Sequence, residues 1–195
     1  MMEFPVERFD KGQWILDADK LDIAFKYVTD WRCAVDVGAF AGVFTSRIAL
    51  RFERVYAIEP NFKSFCSLSA NMIAYPNVTC VHAAAADRTD EIVYIQRKCW
   101  PSARILKSRE KDGDEIRTIR IDDLTDASGL VKIDVEGYEY KVLCGAGKLL
   151  ASKPVVIVES KGHHRRYDGI DPVKHLKRLG MKVVAEIRPD VILAW

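Results

Sequence analysis

The chain has 195 residues, enough to bury about 70% of its unfolded surface in one core without metal or disulfide support. Its 30 basic and 28 acidic residues leave a net charge of +2, which argues against polyanion binding as the main business of the whole chain. Five cysteines form no C-x-x-C pair, residues 1–8 carry no basic-then-apolar leader, and no apolar run reaches membrane-spanning length, so the expectation is a cytoplasmic protein with neither export nor anchoring.

Strand and helix signals alternate along the chain. Leu21, Phe25 and Val28 stand at i, i+4 and i+7, predicting an amphipathic helix before Trp31, so residues 1–31 read as a helical cover over the sheet or the site. Cys33 to Val37 is the first strand, and Gly42 to about Phe52 is a helix with Phe44, Ile48 and Phe52 on one face. Val55 to Ile58 is the second strand. The next helix starts at Pro60-Asn61 with Asn61 as N-cap, buries Phe62, Phe65, Leu68 and Met72, and ends at Tyr75-Pro76. Val78 to Val81 is the third strand.

The periodicity changes after Asp87. Residues 91–96 and 116–121 alternate in polarity around a polar stretch that carries Gly113, which predicts an antiparallel insertion over 88–121. The α/β pattern resumes with a strand from Leu130 to Val135, a helix from about Tyr138 to Leu150, and the fully apolar strand Val155 to Val158. Asp171-Pro172 is an N-cap with proline at N1, Val173, Leu176 and Leu179 form the buried face of that helix, and Gly180 stops it. Lys182 to Ile187 and Val191 to Ala194 read as a terminal hairpin. The expected architecture is one α/β domain spanning 1–195: a three-layer, Rossmann-like sheet of seven strands, mostly parallel with one antiparallel strand, plus a β-hairpin insertion.

Ligands of such sheets bind beyond the carboxyl ends of the strands. Asp36-Val37-Gly38-Ala39-Phe40-Ala41-Gly42 follows the first strand, and the second strand ends on Glu59 roughly 20 residues later. Strand, glycine turn, helix, strand and acid make the half-site of a nucleoside cofactor. The glycines let the backbone approach a ligand, and a carboxylate at the second strand's tip can hold both ribose hydroxyls. The spacing is D-x-G-x-x-x-G, and Asp36 stands where a dinucleotide would place its pyrophosphate. A carboxylate there repels phosphate and suits the ammonium group of S-adenosylmethionine. The expected cofactor contacts are Asp36, Gly38, Ala39, Phe40, Gly42, Glu59, Pro60, Asn61 and Asp87.

Two further segments carry chemistry. In Leu130 to Gly137, alternation puts Lys132, Asp134 and Glu136 together on one face of an expected central strand, where ionisable groups are costly unless paired or needed. Lys132 neutralising an acid would explain part of this. Asp134, pointing at the cofactor cleft, could take a proton from a substrate hydroxyl or orient it. Glu159 ends an apolar strand and is followed by Lys161, His163, His164, Arg165 and Arg166, a run suited to a base, a metal ligand, an anion contact or a solvated loop. The catalytic candidates are Asp134, Glu136, Glu159 and His163. No metal is expected, but Asp134, Glu136 and Glu159 could meet around a hard divalent cation.

Four stretches carry a family resemblance: Asp36 to Thr45, Val55 to Asn61, Thr118 to Leu124, and Val131 to Ala146 with its K-I-D-V-E-G-x-E segment. In these the chain resembles the FkbM-type S-adenosylmethionine-dependent methyltransferases, a branch of the class I methyltransferases. The resemblance implies methyl transfer, typically to a hydroxyl of a sugar or natural product. It also implies Asp36, Gly38 and Glu59 as cofactor contacts, with Asp134 and Glu136 beside the methyl group. Phe40 departs from the pattern, since this family commonly has asparagine there.

Three rival readings are a nicotinamide-dependent oxidoreductase, an RNA ribose 2′-O-methyltransferase using Asp134, Lys161 and Glu186 with Lys11 or Lys20, and a non-catalytic cofactor-binding module. The first needs a tighter glycine fingerprint, and the last leaves the charged face at Asp134 without a purpose. The expected acceptor is a small molecule or glycan hydroxyl, with Trp100 offering a stacking face and Arg104 or Arg109 an anion contact.

Overall fold

In the computed structural model, which describes residues 20–96, 104–106, 113–160 and 169–195, the short apolar runs lie side by side in one sheet. The first half of the chain gives helix α1 (20–25), β1 (Ala34–Val37), α2 (Val43–Ala49), β2 (Val55–Ile58), α3 (Phe62–Met72) and β3 (Val78–Val81). A β-rich middle follows, with β4 (Ala84–Ala85), β5 (Ile92–Gln96), β6 (Ile105–Leu106), β7 (Gly113–Ile119) and a single 3-10 turn over Ile121–Asp123. The second half contributes β8 (Leu130–Ile133), α4 (Glu139–Cys144), α5 (Gly147–Ala151), β9 (Val155–Glu159), α6 (Pro172–Arg178), β10 (Lys182–Ile187) and β11 (Asp190–Ala194).

The seven-stranded sheet runs β3-β2-β1-β8-β9-β11-β10. Every pair from β3 to β9 is parallel, and β11 is antiparallel to both β9 and β10, so one strand runs against the rest as the terminal hairpin predicts. Strand order reverses between β1 and β8, which makes their carboxyl ends the switch point where such sheets bind ligands. Apart from Asp36 on β1 and Lys132 on β8, both faces of the central strands are apolar, as parallel strands between helices require. Val35, Val37, Val131, Ile133, Val156 and Val158 pack with Val142, Leu149 and Leu176 on one side, while Ala34, Leu130 and Ile157 pack with Leu21, Ile48 and Phe52 on the other.

Asn61 and Asp171 cap α3 and α6, their side chains accepting the N–H groups of Lys63 and Ser64 and of Val173 and Lys174. Four points differ from the sequence reading: two positions expected to be buried, the insertion, one helix and one strand. Leu179 is 43% exposed just beyond α6, and Phe62 is 64% exposed at the first turn of α3, where it faces out beside the loop. Gly113 starts β7 instead of lying in a loop, and the insertion is a four-stranded sheet, β4-β7-β5-β6, anchored by parallel pairing of β4 with β7.

The third difference is the helix expected from Tyr138 to Leu150, which breaks into α4 and α5 at Gly145-Ala146. A Cβ on Gly145 would stand 1.9 Å from the carbonyl oxygen of Ala86, so the chain passes too close there for any other residue. Asp122 then restarts the helix by accepting the N–H groups of Lys148 and Leu149 at 3.0 and 3.1 Å. The fourth concerns β8, which ends at Ile133, so Asp134 and Glu136 leave the strand and its alternation.

Candidate active site

Three loops meet at the switch point, after β1, β2 and β8. The turn after β1 wraps the end of β2: the N–H groups of Gly38 and Ala39 both donate to the Ile58 carbonyl, at 2.9 and 3.1 Å. Gly38 has φ +76, and a Cβ there would fall 1.8 Å from the Asp134 carbonyl oxygen, so only glycine lets the first loop touch the third. The Asp134 N–H donates to the Val37 carbonyl at 3.0 Å and closes the same contact. Phe40 has φ 53, an unusual conformation for a bulky residue, and such backbone strain gathers at binding sites.

Glu59 is the hinge of this arrangement. Its Oε2 accepts the Phe40 N–H at 2.9 Å and its Oε1 accepts the Asn61 N–H at 2.8 Å, so one carboxylate fastens the first loop to the second. Each oxygen keeps a further lone pair. Burial pushes the Glu59 carboxyl up to about 7, against the opposing pull of those two hydrogen bonds. Pro60 offers its carbonyl to His82 Nε2 at 3.1 Å, and His82 stacks on Phe65 with Phe62 beside it. An aromatic shelf therefore flanks Glu59.

Beneath the first loop lies a buried charge cluster. Asp36 is fully enclosed, its Oδ2 accepting the Thr45 hydroxyl at 2.7 Å and its Oδ1 facing the Lys132 ammonium at 3.5 Å. That ammonium also lies 3.7 Å from Asp134 Oδ2. Asp36 therefore has the chain's own Lys132 as a cationic neighbour and lies enclosed beneath the turn. Glu136 takes a left-handed backbone, φ 53, in a turn closed by the Gly137 N–H donating to Glu139 Oε1 at 2.9 Å. Burial raises the Glu139 carboxyl. The turn swings Glu136 back, so that one oxygen each of Asp134, Glu136 and Glu159 lie within 4.8 Å of one another. Three carboxylates this close suit a cationic ligand or a hard divalent ion, which oxygen donors favour.

The remaining candidates divide. Ala39 packs its methyl against Leu68 and Met72, and Gly42 faces the Met72 methyl, so both support α3 contacts. Asp87 pairs with Lys141 at 2.8 Å; burial would raise its carboxyl, but the lysine outweighs this and lowers it. Asn61 acts as an N-cap with its backbone tied to Glu59. His163, with Lys11, Trp100, Arg109, Lys161, His164, Arg165 and Arg166, lies outside the described residues. Lys20 pairs with Asp190 at 2.5 Å, Asp190 being the register partner of Glu159, while Glu186 is exposed on β10.

Sequence reasoning missed Thr45, Glu139 and Asp190 as polar partners of the cluster. Each is a buried polar residue, and the sequence does not name its partner.

Comparison with known proteins places this geometry in context. The family model described as Methyltransferase FkbM domain matches residues 36–183. The structure of methyltransferase FkbM from Methylobacillus flagellatus KT superposes with a TM-score of 0.56 at 21% identity, covering 84% of this chain and 43% of that one. This chain therefore spans less than half the length of that relative. The Streptococcus mutans protein SMU.1697c in complex with SAH gives 0.58 at 10% identity over 99% of this chain and 97% of that one. Aeropyrum pernix fibrillarin with natively bound S-adenosyl-L-methionine gives 0.53 at 12% identity over 93% and 75%. No curated protein matches the sequence.

Proposed function

Because the chain belongs to the FkbM methyltransferase family, we propose that it takes S-adenosylmethionine as methyl donor and methylates a hydroxyl of a sugar, glycan or natural-product acceptor. The observation that carries the donor assignment is Glu59, a carboxylate fixed by two backbone N–H groups with its outer lone pairs free for the two ribose hydroxyls. The aromatic shelf of Phe62 and His82 beside Pro60 suits the flat base of a nucleoside. The clustering of Asp134, Glu136 and Glu159, one oxygen each within 4.8 Å of one another, suits a cationic sulfonium and ammonium.

The donor supplies a methyl group on a positively charged sulfur. Asp134 stands at the end of β8, in contact with the loop that carries Gly38, and we assign it the acceptor's proton. Glu136 and Glu159 orient the acceptor or hold a divalent ion that does so. Asp36, enclosed beneath the turn, supports the cofactor loop from below.

Transfer from labelled donor to a panel of sugars, polyketide alcohols and RNA across a salt series tests this reading. Labelling of a small hydroxyl acceptor, indifferent to salt, is expected. Preferential labelling of RNA at ribose, lost steeply as salt rises, would overturn the acceptor assignment. A chelator series with added magnesium decides between the two roles of Glu136 and Glu159.

A further inference from the structure

Lys132 is 4% exposed on the central strand β8, and its ammonium is shared between two carboxylates. The distances to Asp36 and Asp134, 3.5 and 3.7 Å, are nearly equal, and both exceed the roughly 2.7–2.9 Å of a charge-assisted hydrogen bond. Asp36 Oδ1 has no hydrogen-bond partner among the described residues, so the ammonium is its counterion across a short gap. The Phe44 ring lies 4.8 Å from the ammonium, a cation–π contact.

We propose that Lys132 is a positioning residue, whose shared ammonium ties the enclosed Asp36, under the cofactor loop, to Asp134, on the acceptor side. Two links then join those loops. One is the backbone contact of Gly38 with the Asp134 carbonyl, and the other is the charge bridge from Asp36 through Lys132 to Asp134. The backbone contact fixes the main chain of Asp134; the bridge fixes where its carboxylate points. Without the ammonium, the Asp134 carboxylate loses the attraction that holds it inward and is released toward solvent, since it is already about one-third exposed at 37%, and in Lys132→Met it is also repelled by Asp36. A displacement of about 1 Å is enough to cost roughly 10²-fold in rate.

The activity arm of the test rests on the methyl-transfer reading, and the structural arm does not. Three variants are compared with wild type: Lys132→Met, Lys132→Arg, and the double variant Asp36→Asn with Lys132→Met, which removes the buried charges together and keeps the fold free of an isolated ion. In crystals of Lys132→Met or of the double variant the Asp134 carboxylate is expected to shift by about 1 Å or more, and an unmoved carboxylate overturns the inference. With a working acceptor, kcat of both Met variants is expected to fall about 10²-fold while acceptor KM stays close to wild type, with partial recovery in Lys132→Arg. Wild-type kcat in a folded double variant would overturn it. Failure of the wild-type protein to methylate any acceptor counts against the methyl-transfer reading alone, and the position of Asp134 then decides the role of Lys132.

Discussion

Glu59 ties two loops together at the point where we propose that the cofactor binds. Both of its oxygens receive backbone N–H groups, so Glu59→Gln must turn an amide NH₂ toward one of them. The expected cost below about pH 4.5 is about 1–3 kcal/mol in stability, read by urea unfolding, with a larger loss in cofactor affinity where the carboxylate is ionised. The raised pKa, about 7 against an ordinary 4.5, has a definite sign. The folded protein holds this proton more tightly than the unfolded chain, so the contribution is complete below about pH 4.5 and is lost as pH rises to about 7. Wild type should lose about 3 kcal/mol over that window relative to Glu59→Gln, measured by unfolding at each pH. Ribose hydroxyls donate to the ionised form, so cofactor binding should strengthen as pH rises through about 7 and should release a proton. Affinity that weakens over that range would contradict the ribose role.

At the level of elements, the sequence was most legible where a local rule decides the outcome. Asn61 and Asp171 are caps because their side chains reach the first N–H groups of their own helices, and β2 and β3 begin and end where their apolar runs do. It was least legible where distant chain segments touch. Periodicity runs unbroken through Gly145, but the Ala86 carbonyl occupies the space a side chain would need. Strand alternation likewise runs through Glu136, but the turn held by Glu139 rotates it out of the strand toward Glu159. The strand, turn and acid arrangement around Gly38 and Glu59 was readable from spacing alone; the enclosure of Asp36 by Thr45 and Lys132 was not, since it depends on how a helix and a neighbouring strand pack. These contacts give a stability test. Gly38→Ala and Gly145→Ala should each cost more than about 2 kcal/mol by thermal or urea unfolding, because a methyl cannot enter either gap without moving a carbonyl. Asp122→Ala should cost about 1–2 kcal/mol through the lost start of α5. Of the three, Gly38→Ala alone should also remove cofactor binding.

For the whole molecule, the strand order concentrates function at one point. Chain reversal between β1 and β8 brings the loops of Gly38, Glu59 and Asp134 together, and the antiparallel β11 delivers Asp190 beside Glu159. Asp134→Asn preserves shape and removes charge, so turnover should fall about 10²-fold or more, well beyond any loss of cofactor affinity. Equal turnover would move the proton to another group. The most direct measurement is calorimetric titration of wild type and Glu59→Ala with S-adenosylmethionine, its demethylated product and NAD. Both S-adenosyl compounds should bind wild type, Glu59→Ala should lose about 2–4 kcal/mol of that affinity, and NAD should not bind. Binding of NAD with no response to S-adenosylmethionine, or full affinity in Glu59→Ala, would contradict the assignment.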